Sequence, residues 1–142
     1  MREALEMPAG PLTANVLATL EELVASNLNI ADLRGIEYLH NLIFLNLSDN
    51  RITDLSPLAG LTWLQFLVVD RNQITDLSPL NQLDLLEILL LDQNQNTDLS
   101  PLLSLATSGV IERIDVVDAD GQNPVNITFS PGDDWAISWS PR

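Results

Sequence analysis

At 142 residues the chain has room for one domain, and with 46% hydrophobic but only 5% aromatic residues it can build a core that must be mostly aliphatic. A formal net charge of −14 and a pI of about 4.1 repel nucleic acid and anionic membranes and suit a basic partner or a high-salt habitat. The absence of cysteine and the single histidine, His40, exclude disulfides, thiolate metal sites and multi-histidine metal sites, and leave almost no route to Ser-His-Asp or Cys-His catalysis.

The N-terminal segment opens Met1-Arg2-Glu3-Ala4-Leu5-Glu6 and leads into no apolar run of a secretion signal. No stretch reaches the roughly 18 apolar residues of a membrane span. The chain is therefore read either as cytoplasmic or as a mature or truncated piece of something larger. Residues 2–7 and 13–20 read as short helices joined by the turn Pro8-Ala-Gly-Pro11. Thr13 can cap the second, whose Val16, Leu17 and Leu20 share one face. Residues 1–19 are taken as a helical N-terminal cap, with a domain-linking helix as the alternative.

From residue 20 a 22-residue period governs the sequence. Leu42, Leu45, Leu47, Asn50, Ile52, Asp54, Leu55, Pro57, Leu58 and Leu61 recur as Leu64, Leu67, Val69, Asn72, Ile74, Asp76, Leu77, Pro79, Leu80 and Leu83. They recur again as Leu86, Leu89, Leu91, Asn94, Asn96, Asp98, Leu99, Pro101, Leu102 and Leu105, with Asn96 in place of isoleucine. A degenerate first copy runs through Leu20, Leu23, Ala25, Leu28, Ile30, Asp32, Leu33, Gly35, Ile36 and Leu39. A period of this kind means stacked units, each too small to bury its own apolar face. Leu45 and Leu47 alternate with Phe44, Asn46 and Ser48, as in a short strand buried on one face. Asn50, Asn72 and Asn94 follow the strands, where a buried amide can satisfy the backbone groups of a turn. The Ser-Pro pairs at 56–57, 78–79 and 100–101 predict short 3₁₀ turns, with serine as cap and proline at the first position.

The repeated N-x-x-I-T-D-L-S-P-L-x-x-L closely resembles the bacterial internalin-type leucine-rich repeats, over about residues 20–105, and residues 30–39 resemble the first repeat of such arrays. The pattern and the resemblance together imply an α/β leucine-rich-repeat solenoid. Short parallel strands would line its concave face and 3₁₀ or loop segments its convex face, with a helical cap at the N-terminus and a β-hairpin cap at the C-terminus. The resemblance also implies an extracellular or cell-surface location, although the chain shows no signal peptide. It is nearly silent on function, because members of the family bind many unrelated proteins.

After Leu105 the register shifts. Ile111, Ile114 and Val116 match Leu86, Leu89 and Leu91 at an offset of 25, which places a three-residue insertion near 106–109 and a fifth strand after it. The alternating runs 125–129 and 135–139 then predict a hairpin pairing Phe129 with Trp135. The expected organisation is a cap at 1–19, repeats at 20–118, and a β cap or the start of a further domain at 119–142.

Strand residues facing away from the core should align in columns about 4.8 Å apart: Glu22, Phe44, Phe66, Ile88 and Arg113; Val24, Asn46, Val68, Leu90 and Asp115; Ser26, Ser48, Asp70, Asp92 and Val117. Phe44, Phe66, Val68, Ile88 and Leu90 would form one apolar patch, which usually marks an interface. Phe66, Val68 and Leu90 would anchor a protein partner, with Asn46, Asp70 and Asp92 orienting it. The alternative is a structural spacer or self-associating unit in which the same patch pairs two copies. No cofactor, metal site, nucleic-acid contact or catalytic residue is assigned. Asp70 and Asp92 could stand at a glycosidase-like spacing but read as a solvated acidic face. Asp118, Asp120 and Asn123 resemble a calcium loop without its distal glutamate and read as an acidic turn. The sequons at Asn46 and Asn126 fall on predicted strands. Trp63, at a strand entrance where other repeats carry Asn41 and Leu85, is expected to pack into the protein.

Overall fold

The computed structural model describes residues 17–95, 98, 100–102 and 105, together with the backbone of 113–117 and 124–128. Four three-residue strands recur one per repeat: β1 (Glu22–Val24), β2 (Phe44–Asn46), β3 (Phe66–Val68) and β4 (Ile88–Leu90). They pair in parallel, in the order of the sequence. Each step of register equals the repeat: Leu23 faces Leu45, which faces Leu67, which faces Leu89. The fifth strand, β5 (Arg113–Val117), pairs Ile114 with Leu89, the 25-residue step expected after the insertion.

A sixth strand, β6 (Pro124–Thr128), joins the sheet antiparallel to β5, with Ile114 opposite Ile127 and Val116 opposite Val125. The run beginning at Val125 thus finds its partner in the last repeat strand, which precedes it in the chain. The pairing gives the exposed edge of β5 a partner. The second strand of the expected hairpin, 135–139, lies outside the described residues. So do residues 1–16 of the expected helical cap, Asn96, and the Asp118, Asp120 and Asn123 loop. Of the cap only residues 17–19 are described, with a bond from the Leu20 N–H to the Leu17 carbonyl. Among the described residues, no helix is long and apolar enough to cross a membrane.

Across from the sheet run short 3₁₀ turns: η1 (Ile36–Tyr38), η2 (Ser56–Leu58), η3 (Ser78–Gln82) and η4 (Ser100–Leu102), each packed beside the next. In η2, η3 and η4 proline near the start fixes φ and removes an N–H that would have no helical partner. The cap is not the expected one. Ser56 and Ser78 are the first residues of their turns, and Leu55 and Leu77 hold the cap positions without a side-chain bond. The side-chain acceptor comes from one residue earlier. Asp54, Asp76 and Asp98 each accept the backbone N–H of the serine two positions on, at 2.8 Å. Ser56 and Ser78, through hydroxyl and backbone N–H, hold the Asp54 and Asp76 carboxyls below the ordinary aspartate value, and Ser100 does the same for Asp98.

Between sheet and turns lies one aliphatic core. In the second repeat Leu42, Leu45, Leu47, Ile52, Leu55, Leu58 and Leu61 are all essentially inaccessible, and so are their equivalents through the third. The first repeat is looser, with Leu33 slightly open and Ile30 only partly buried.

The turn after each strand is held by asparagine. Asn72 is buried; its amide group donates to the carbonyls of Leu47 and Val69, both at 3.0 Å, and Asp70 at 3.2 Å, while its oxygen accepts the Ile52 N–H at 2.9 Å. Asn50 does the same with Ala25, Leu47, Ser48, Leu28 and Ile30, and Asn94 with Val69, Leu91 and Ile74. Every one of these amides bridges two repeats, so it satisfies the turn and fixes the stacking at once. The residue before each asparagine takes the left-handed conformation: Asp49 at φ 56°, Arg71 at 51° and Gln93 at 54°, with Asn27 at 56° in the first repeat.

Candidate interaction surface

The strand alternation that sends Leu45, Leu67 and Leu89 into the core sends their neighbours to the open face of the sheet. Register then stacks Phe44, Phe66 and Ile88 in one row, and Asn46, Val68 and Leu90 in the next. All six are half-buried, covered partly by one another. The Phe44 and Phe66 ring centroids are 6.3 Å apart, within the range of favourable aromatic pairs. Glu22 and Val24 begin the two rows; Arg113 and Asp115 take the next register positions after Ile88 and Leu90.

One side of this patch is acidic and held in place. Asp70 accepts the backbone N–H of Asp92 through its Oδ1 at 2.9 Å, so its carboxylate is tied to the neighbouring repeat. Arg71 reaches back one repeat and grips Asp49, Nε to Oδ1 at 2.5 Å and Nη2 to Oδ2 at 2.8 Å. That bond holds the Asp49 carboxyl below its ordinary value. Asn46 is oriented by Ser48, whose backbone N–H and hydroxyl both donate to its Oδ1, at 3.0 and 2.8 Å. What Asn46 presents outward is its amide donor group. Among the described residues no three acidic or histidine side chains gather as metal ligands would.

Trp63 does not pack into the protein. It is 58% exposed, and Leu85 at the equivalent position of the next repeat is exposed as well, at 38%. The reason lies in the neighbouring positions: the repeats before and after place Asn41 and Leu85 there, both exposed, and Leu64 behind Trp63 already fills the core. Sequence reasoning also missed the Arg71–Asp49 pair. Both residues precede a turn asparagine and lie 22 positions apart, the one signal that could have joined them.

Residues 18–60 and 40–82 each match the family of leucine-rich repeats described in pairs of copies. The crystal structure of an internalin (inlF) from Listeria monocytogenes superposes with a TM-score of 0.73 at 31% identity. The chain's repeats thus resemble those of the internalin-type leucine-rich-repeat proteins. The inlF match covers 82% of this chain and 41% of that one. Internalin C2 (inlC2) of the same organism superposes with a TM-score of 0.60 at 32% identity, over 82% of this chain and 61% of its own. The internalin-type array described here thus spans less than two thirds of either relative. No curated protein sequence matches it.

Proposed function

We propose that this internalin-type array is a protein-interaction module that engages its partner through the open face of the sheet, with Phe44, Phe66, Val68, Ile88 and Leu90 as apolar contacts and Asn46, Asp70 and Asp92 fixing orientation. One observation carries the reading: five apolar side chains stand side by side, in register, on the face of the sheet opposite the described core. Contiguous exposed apolar surface is costly to keep in water and marks an interface. Three-residue strands tied into a continuous sheet hold these side chains before any partner arrives, which limits the ordering cost of binding. The net charge of −14 works against pairing this face with a second copy of itself.

The test is selection of binders from a random peptide display library on the full chain, followed by transfer to Phe66→Asp. The enriched binders should lose the variant, provided its thermal unfolding stays cooperative. Binders that hold both proteins equally would move the interaction surface elsewhere.

A further inference from the structure

The apolar rows do not stand on neutral ground. Glu21 and Glu22 lie at their N-terminal end, Glu87 stands at the entrance of β4, and Asp49, Asp70 and Asp92 line the strand exits. Against these six carboxylates the same described surface carries the guanidinium of Arg71, which bonds Asp49 and also lies in the field of Asp70 and Asp92, so the surface stays net acidic. Arg113 and Asp115, next in register on β5, cancel in formal charge. Row direction matters too. The apolar rows and the Asp70–Asp92 row run across the strands, so their side chains repeat about every 4.8 Å. A helix laid along that direction presents one side chain per turn, about every 5.4 Å. An extended chain presents one every second residue, about 6.6–6.8 Å apart, and falls out of step within three rungs.

Resting on the open-face reading above, we infer that the partner element is an amphipathic helix whose apolar stripe is bordered by arginine or lysine, laid along the Phe44–Phe66–Ile88 row with its cations over Asp70 and Asp92. The apolar rows supply the contact area, and the carboxylate row sets orientation and selects against acidic helices. Asp70 suits this role because its bond to the Asp92 N–H holds the carboxylate before binding.

Two synthetic helical peptides with the same leucine and phenylalanine stripe, one flanked by arginine and one by glutamate, separate the possibilities by calorimetry on the full chain. The arginine peptide should bind at least about tenfold more tightly, and its affinity should fall with added salt. Asp70→Asn with Asp92→Asn should weaken it by about tenfold. The same change at Asp54 and Asp76 removes equal charge at equal spacing from the far side and should alter affinity by less than about twofold. Equal binding of the two peptides would overturn the cationic assignment and leave the open-face reading standing. No binding of the arginine peptide, or equal loss in the far-side variant, would also overturn it. Unchanged binding to Phe66→Ala would remove the open face itself.

Discussion

Phe66 and Leu67 are neighbours in one strand, yet they sit under different constraints. Leu67 is inaccessible and has leucine at the equivalent positions of β1, β2 and β4. Phe66 is half-buried, and its column holds glutamate, phenylalanine and isoleucine. A close-packed interior admits one shape at each rung, because a void or a clash costs free energy directly. The open face needs only a residue that tolerates the strand. Core columns therefore stay aliphatic, as in Ala25, Leu47, Val69 and Leu91, while an open-face column can mix charge, aromatic ring and aliphatic chain.

The comparison predicts its own largest effect. Leu67→Ala should destabilise the protein by about 2–5 kcal/mol, since a fully enclosed leucine leaves a cavity that neighbouring repeats cannot fill. Urea unfolding measures it; a loss below about 1 kcal/mol would mean that the stack relaxes around single deletions. Next comes the turn. Asn72→Ala strands the Ile52 N–H, takes one of two donors from each of the Leu47, Val69 and Asp70 carbonyls, and should cost about 1–3 kcal/mol. Asn41→Ala removes one exposed bond to the Ala18 carbonyl and should cost well under about 1 kcal/mol. Equal urea midpoints for the two would show that the buried amides do not hold the stack.

Smaller effects sharpen the picture away from the core. Gln93 is exposed and held at φ 54°, where glycine escapes a steric penalty of about 1–2 kcal/mol but loses about 0.5–1 kcal/mol of chain entropy. Gln93→Gly should therefore raise the melting temperature slightly; a lower one would show that the side chain supports the turn. The least effect is a pH dependence. Asp54, Asp76 and Asp98 titrate below their ordinary value of 3.8 in the folded protein. Their ionised forms stabilise the fold fully above that value, and the contribution is lost as pH falls through the lowered folded values. Replacing all three by asparagine, which keeps the acceptor oxygen, should flatten the loss of stability below about pH 4. An unchanged acid profile would mean that other carboxylates govern it.

Much of this fold is legible in the sequence because a repeat states its rule several times. Strand faces, the 22-residue register, the 3₁₀ turns at Ser-Pro and even the 25-residue step to Ile114 follow from apolar spacing. The features that escape it depend on short-range competition among polar groups. Asp54 and Ser56 are both capable caps, and only the backbone path of the turn decides that the aspartate accepts. Arg71 and Gln93 are poor residues for the left-handed region, so nothing in their identity announces it; the turn path requires it, as it does of Asn27, which leucine follows in the first repeat. Trp63 reads as core by its chemistry and lies outside because the Leu64 next to it takes the core position. On the open face the sequence supplies the columns, but the fixing of Asp70 by Asp92 and of Asp49 by Arg71 appears only once adjacent repeats are stacked.

The central claim is that alternate residues of each strand divide the work, one set building the stack and the other leaving a surface for recognition. Urea unfolding of Phe66→Asp beside Leu67→Asp tests it most directly. Phe66→Asp should unfold in one cooperative transition at a cost of about 1 kcal/mol, the order of the lost ring pair with Phe44, while Leu67→Asp should abolish the transition by burying an unpaired charge. If Phe66→Asp loses its cooperative transition as Leu67→Asp does, the two faces are not separable and the account is contradicted.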